Sequence, residues 1–257
     1  MAERRWRVLV ERDPRSGALN MATDQALLEE AERTGQGALR LYRWAPACVS
    51  FGRHEAALRR YDRALIEAKG IDVVRRPTGG RAVWHEDEVT YAVAAPITWF
   101  GSLSESYRAI HGYLAEALGR LGARATLAPV RSRHRSLTPD SPGDCFSAPV
   151  GGEVMIDGQK VIGSAQVRSG RAFLQHGSIL LGGSPDTLRA VSRDRGPEGS
   201  ATTLSTALDR TVTFDEVAAA VLASWEGAGV ADSGAPPLPP PDRLTAAFRD
   251  PAWTWRR

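Results

Sequence analysis

The sequence predicts an α/β (α+β) fold, with mixed, largely antiparallel sheets flanked by helices, and three observations carry that prediction. Short apolar runs bounded by Gly, Pro and Asp interleave with segments of helical period. The dipeptides Asp157-Gly158 and Ser169-Gly170 separate strand-like runs, the mark of tight hairpins. Two capping boxes, Ser102-x-x-Glu105 and Thr213-x-x-Glu216, each open an amphipathic stretch. With 257 residues the chain can bury one substantial core. Residues 1–230 are expected to form a single domain, and residues 231–257 a Pro-rich linker with a short C-terminal helix.

In chain order, residues 6–10 read as a strand. Pro14, Ser16 and Gly17 lead into a helix whose apolar face is Leu19, Met21, Ala22, Ala26, Leu27 and Ala31. Residues 39–44 and 48–51 read as a hairpin about Ala45-Pro46, residues 61–69 as a helix stopped by Gly70, and residues 71–75 as a strand. Pro77 with Gly79-Gly80 forces a tight loop before strands at 82–84 and 89–95. The helix opened by Ser102 buries Tyr107, Ile110, Leu114, Ala117, Leu118 and Leu121. After a strand near 125–127, residues 129–143 show no period and read as a loop. A hairpin follows (153–156 and 159–168), then a third strand at 171–181, a short helix at 185–192, and the helix opened by Thr213.

Composition excludes several classes. Hydrophobic content of 42% and charged content of 25% are ordinary for a globular protein. A net charge of +3 with no long basic run points away from nucleic acid. No apolar segment has the length of a membrane span or a signal peptide. Two cysteines far apart give no disulfide framework, so the expected setting is reducing and cytoplasmic.

One bias is sharper. Of 33 basic residues only Lys69 and Lys160 are lysines. Where the chain needs a solvated positive charge it uses arginine, so a remaining lysine is a candidate for a site needing an amine that can lose its proton. Lys69 precedes Gly70 at a helix end, where any cation suits the dipole. Lys160 starts a strand after a turn, as a proton shuttle or as a solvent-facing rim residue. Cys48, flanked by Ala47 and Val49, reads as a small buried hydrophobe. Cys145 sits in an irregular segment instead, with Arg131, Arg133 and Arg135 upstream to stabilise a thiolate. His85 and His176 are further candidates, each weighed against a hydrogen-bonded structural histidine. Arg75 and Arg76 flank the glycine loop, either as solvated charges or as contacts for a phosphate or acidic partner. No two His or Cys residues stand at metal-ligand spacing.

The stretches RRPTGGRAVWHEDEVTYAV, GSAQVR and LQHGSILL, with SGALNMATDQALLE near the start, resemble the lipoyl/octanoyl transferase and lipoate–protein ligase family, which shares its catalytic fold with biotin–protein ligases. The segment GDCF, where ATP-dependent ligases of that family lack a cysteine, is similar to the octanoyltransferases that work through an acyl-cysteine. That resemblance, which covers roughly residues 5–225, implies Cys145 as nucleophile and Lys160 as general acid/base. It implies an acyl pocket lined by Arg76, Thr78, Gly79, Gly80 and His85 on one side, and by Gly163, Ser164, His176 and Gly177 on the other. The implied donor is octanoyl-acyl carrier protein, and the implied acceptor a lipoyl domain such as glycine cleavage H protein or a 2-oxoacid dehydrogenase E2. No ATP, metal, nucleic acid or membrane is expected. The alternatives are an octanoyl amidotransferase between lipoyl domains, an ATP-dependent lipoate–protein ligase, a non-catalytic acyl binder and a cysteine hydrolase.

Overall fold

The computed structural model describes residues 4–129, 152–184, 187–193, 201–230 and 239–256. Its strands are β1 (Trp6–Val10), β2 (Gly37–Tyr42), β3 (Cys48–Phe51), β4 (Asp72–Arg75), β5 (Val83–His85), β6 (Glu88–Pro96), β7 (Ala125–Leu127), β8 (Val154–Ile156), β9 (Gln159–Lys160), β10 (Ile162–Ser169) and β11 (Ala172–Leu180). Its helices are α1 (Gly17–Thr34), α2 (Ala57–Arg60), α3 (Arg63–Ala68), α4 (Leu103–Arg120), α5 (Leu204–Leu208), α6 (Phe214–Trp225), α7 (Asp242–Arg249) and α8 (Pro251–Thr254).

A five-stranded sheet in the order β1-β2-β6-β11-β10 forms the centre. Only its edge pair β1–β2 is parallel; β2–β6, β6–β11 and β10–β11 are antiparallel, as expected of the class. One face packs Leu39, Tyr91, Val93 and Phe173 against α4 and α6. The other packs Leu9, Ala92 and Leu174 against α1 and, beyond it, Leu244 and Phe248 of α7. A smaller sheet, β4-β3-β5, carries its own cluster of Val49, Phe51, Ile66 and Trp255. A third, β7-β8-β9, leans on α4. Both capping boxes form, with Ser102 Oγ accepting from Glu105 N–H and Thr213 Oγ1 from Glu216 N–H.

Several local expectations give way to tertiary packing. Residues 39–44 and 48–51 are not a hairpin: β2 lies in the large sheet and β3 in the small one, pairing with β4 and β5. The strand expected over 159–168 likewise changes sheet at Val161, β9 pairing with β8 and β10 with β11. The 61–69 helix is shorter, because Asp62 caps α3 by accepting from Leu65 N–H, and Arg63 begins it. On α1, Leu19 and Ala26 are only partly covered while Asn20, Thr23 and Asp24 are buried. Their burial has a partner: the fully buried Arg40 of β2 donates to Asp24 Oδ1 at 2.7 Å, to Asn20 Oδ1 at 2.9 Å and to Glu11 Oε2 at 2.7 Å. Hydrophobic period alone misses such a polar seam. No helix among the described residues is long and apolar enough to cross a membrane.

Candidate active site: a buried lysine beside a polar-walled pocket

The Asp157-Gly158 turn has φ of 48° and 78°, the left-handed pair that a tight two-residue hairpin requires. It sets Met155 opposite Lys160. The Lys160 main chain is pinned by Thr202 N–H, which donates to its carbonyl at 2.9 Å. Lys160 is therefore no rim residue: it is 2% exposed, and Nζ donates to Glu153 Oε1 at 2.5 Å. Glu153 is equally buried. An ammonium is tolerated there because a carboxylate meets it.

Three and four residues further on, Gly163 and Ser164 of β10 form one wall of a pocket. His176, Gly177 and Ser178 of β11 continue that wall, and Arg76, His85, Ser50, Trp44 and Met21 close it. Six of the expected lining residues thus meet around one cavity: Arg76, His85, Gly163, Ser164, His176 and Gly177. Thr78 stands behind His176, its Oγ1 2.7 Å from Nε2. Gly79 and Gly80 do not border the cavity, contrary to expectation. The Gly79 carbonyl accepts from Arg76 Nη2 at 2.9 Å, and Gly80 turns at φ 87° with its carbonyl pressed on Gly52. A Cβ on Gly52 would lie 1.8 Å from that oxygen, so the loop braces the wall from outside. Cys145 and Arg131, Arg133 and Arg135 lie outside the described residues.

The polar groups of the wall are wired in three sets. In the first, His176 Nδ1 faces Asp24 Oδ2 at 2.8 Å. Burial lifts the Asp24 carboxyl, but the His176 hydrogen bond and the Arg40 charge outweigh it and hold the group below its usual range. Burial also depresses His176, so it stays neutral, donates from Nδ1 and accepts the Thr78 hydroxyl at Nε2. In the second set, His85 Nδ1 is 2.8 Å from Glu88 Oε1 and Nε2 is 2.7 Å from Ser50 Oγ. The His85 ring stacks on Trp44 at 4.0 Å. Arg76, far from being a solvated charge, donates to Ser50 Oγ at 3.0 Å and to its carbonyl at 2.8 Å.

The third set includes a residue the sequence reading overlooked. His111 of α4 is buried, which drives its pKa down to about 4 against the opposing pull of the Gly152 carbonyl, with the Lys160 charge pushing the same way as burial. Neutral, it donates from Nδ1 to Gly152 O at 2.6 Å and accepts at Nε2 from Ser164 Oγ, 2.8 Å away. Tyr91 OH, 2.7 Å from Ser164 Oγ, receives Gln175 Nε2 at 2.8 Å. A directed chain therefore runs from the sheet through the pocket serine to the residue next to Glu153. The signal was available, since His111 lies four residues after Tyr107 and three before Leu114 on the buried stripe. Glu153 carried none, because an acid before a strand is ordinarily exposed.

Arg75 is the opposite case. It is fully buried and does not line this pocket; it donates to main-chain carbonyls of Gly52, Glu55, Trp253, Thr254 and Arg256 at 2.7–3.1 Å. Cys48 is buried as expected, and burial pushes its thiol well above the usual range, leaving it inert. Among the described residues no group of three His, Cys, Asp or Glu is placed to hold a metal ion.

Residues 16–226 match the family described as lipoyl protein ligase A/B catalytic domain. Among curated relatives, octanoyltransferase LipM of Kyrpidia tusciae is 42% identical over 194 residues, spanning 73% of this chain and 70% of that protein. Octanoyltransferase LipM of Exiguobacterium sibiricum is 33% identical over 99% of both. Among solved structures, a lipoate-protein ligase A bound with ATP superposes with a TM-score of 0.78 at 21% identity over 98% of each chain. A bipartite lipoate protein ligase of Thermoplasma acidophilum, described with its E2 lipoyl domain, gives 0.73 at 20% identity over 98% of this chain and 97% of its own. The structural likenesses establish the fold and the sequence matches the lineage: the chain belongs to the lipoyl protein ligase A/B catalytic-domain family.

Proposed function

We propose that this chain is an octanoyltransferase of protein lipoylation, working through Cys145 and Lys160. The observation that carries the reading is a buried lysine, in a chain with two, set on the strand that leads into the pocket wall at Gly163 and Ser164. The sequence relatives, named octanoyltransferases, support the same chemistry. The donor is octanoyl-acyl carrier protein. The acceptor is a lipoyl domain such as glycine cleavage H protein or a 2-oxoacid dehydrogenase E2.

The Cys145 thiolate attacks the thioester carbonyl, the new S–C bond forms, and the donor thiolate leaves with a proton from Lys160. An acceptor lysine amine then attacks the acyl-cysteine, the S–C bond breaks, an amide forms, and Lys160 relays the amine proton so that Cys145 is regenerated. Thioester exchange is nearly isoenergetic and amide formation runs downhill, so no nucleotide is consumed. In a cytoplasmic, reducing setting Cys145 stays a thiol.

Incubation with octanoyl-acyl carrier protein should add one octanoyl mass to the intact protein, without ATP, and Cys145→Ser should abolish the adduct. Lys160→Ala should slow its formation by about 10²–10⁴-fold. Absence of an adduct, an adduct on Cys48, or ATP-dependent acyl-adenylate formation by Cys145→Ala would overturn the reading. Offering an octanoylated lipoyl domain as rival donor identifies which acyl protein is used.

A further inference from the structure

We infer that Glu153 is a positioning residue for Lys160, the counter-charge that keeps the amine buried where its strand leads into the pocket wall. This rests on the reading of Lys160 as the acid/base group. A lysine side chain has four flexible carbons, and left alone it carries its charge out to water. Here the side chain is 3% exposed, which an ammonium tolerates only against a carboxylate of matching burial. Glu153, 4% exposed, supplies it at 2.5 Å.

The two partners sit on one rigid unit. Val161 N–H donates to Val154 O at 3.2 Å across the hairpin, and the Asp157-Gly158 turn holds the register. The Glu153 side is fixed again from α4: Gly152, at φ 90°, presents its carbonyl to His111 Nδ1 at 2.6 Å. The Glu153 carbonyl accepts Ala128 N–H at 2.7 Å, tying it to the end of β7. The main chain that carries Glu153 is thus held by three elements, independently of the lysine it serves.

Described groups coupled to this pair from other elements include His111 of α4 and Tyr91 of β6. Both are uncharged at neutral pH, since burial holds the imidazole neutral and the phenol protonated. Among these groups, the charge set opposite Lys160 is that of Glu153. Removing that charge while keeping the shape leaves a buried ammonium without its carboxylate, and it turns away or loses its placement.

The test uses the full chain with octanoyl-acyl carrier protein, comparing wild type, Glu153→Gln, Glu153→Asp, Lys160→Ala and Cys145→Ser. Glu153→Gln should lower the rate constant of acyl-enzyme formation about 100-fold with donor KM within about threefold. Glu153→Asp, which restores the charge, should recover at least tenfold. A fully active Glu153→Gln, or an aspartate no better than glutamine in a folded protein, would sink the inference. If Glu153→Gln fails to fold, the double variant Glu153→Gln/Lys160→Met should restore the melting transition, because the stranded charge is gone; failure to restore it also sinks the inference. Should Lys160→Ala and Cys145→Ser remain active, the catalytic reading itself fails, whatever Glu153 does.

Discussion

At the scale of single residues, the site rests on a few positions whose chemistry leaves no substitute. Gly177 is one. A Cβ there would fall 2.4 Å from the Gly163 carbonyl, 2.5 Å from Ser164 Oγ and 2.9 Å from the Tyr91 ring. The β10–β11 ladder cannot move to accommodate it. Gly177→Ala should cost about 3 kcal/mol by denaturant unfolding and collapse the pocket wall, while Gly79→Ala, with nothing within 4 Å of the added carbon, should stay within about 0.5 kcal/mol. His111 is another. Its pKa falls to about 4 in the fold from 6.5, so an unfolded chain takes up the proton first as pH drops. Its contribution is fully present above pH 6.5 and lost progressively down to about pH 4, amounting to about 3 kcal/mol. His111→Asn keeps the donor to Gly152 and cannot take up the proton, so its stability curve should flatten relative to wild type across that window. An unchanged slope would refute the assignment.

At the scale of elements, the terminal helices act as a brace. α7 buries Leu244 and Phe248 on α1, and α8 runs across the small sheet, where Trp255 packs on Phe51 at 5.1 Å. Trp253 Nε1 donates to Arg75 O at 2.9 Å while the Arg75 guanidinium returns bonds to Trp253, Thr254 and Arg256. The same guanidinium holds the carbonyls of Gly52 and Glu55, and Arg53 N–H donates to Thr78 O at 2.8 Å. The brace therefore reaches the loop behind His176. Deleting residues 251–257 should remove three carbonyl partners of the Arg75 guanidinium together with the Trp255 packing and cost about 3 kcal/mol or more, a fall in melting temperature of about 6–12 °C. Calorimetry with Trp253→Phe, which loses one hydrogen bond, should show about a third of that effect. Equal melting temperatures for all three proteins would show the brace to be energetically idle.

At the scale of the whole molecule, legibility followed the range of the interaction. Capping boxes, the Asp157-Gly158 turn, the Gly70 stop and the stripe of α4 were readable because each is decided within a few residues. The hairpin assigned to residues 39–51 failed because pairing in sheets is settled by partners far along the chain, β6 for β2 and β5 for β3. Within the site, residues of the glycine loop, GSAQVR and LQHGS segments converged on one cavity, apart from Thr78, Gly79 and Gly80 behind it. Glu153, His111 and the Asp24–Arg40 seam stayed hidden, since a buried polar side chain looks like an exposed one until its partner is known.

The sequence by itself determined the class of fold, the family and the rarity of Lys160, because period, turn chemistry and residue choice are local properties of the chain. Only the tertiary structure decided that Lys160 is buried, that Glu153 meets it, and that Arg75 serves the frame while Arg76 serves the pocket. The physical reason is the cost of an unpaired charge away from water: which side chain supplies the opposite charge is set by strands brought together from distant parts of the chain.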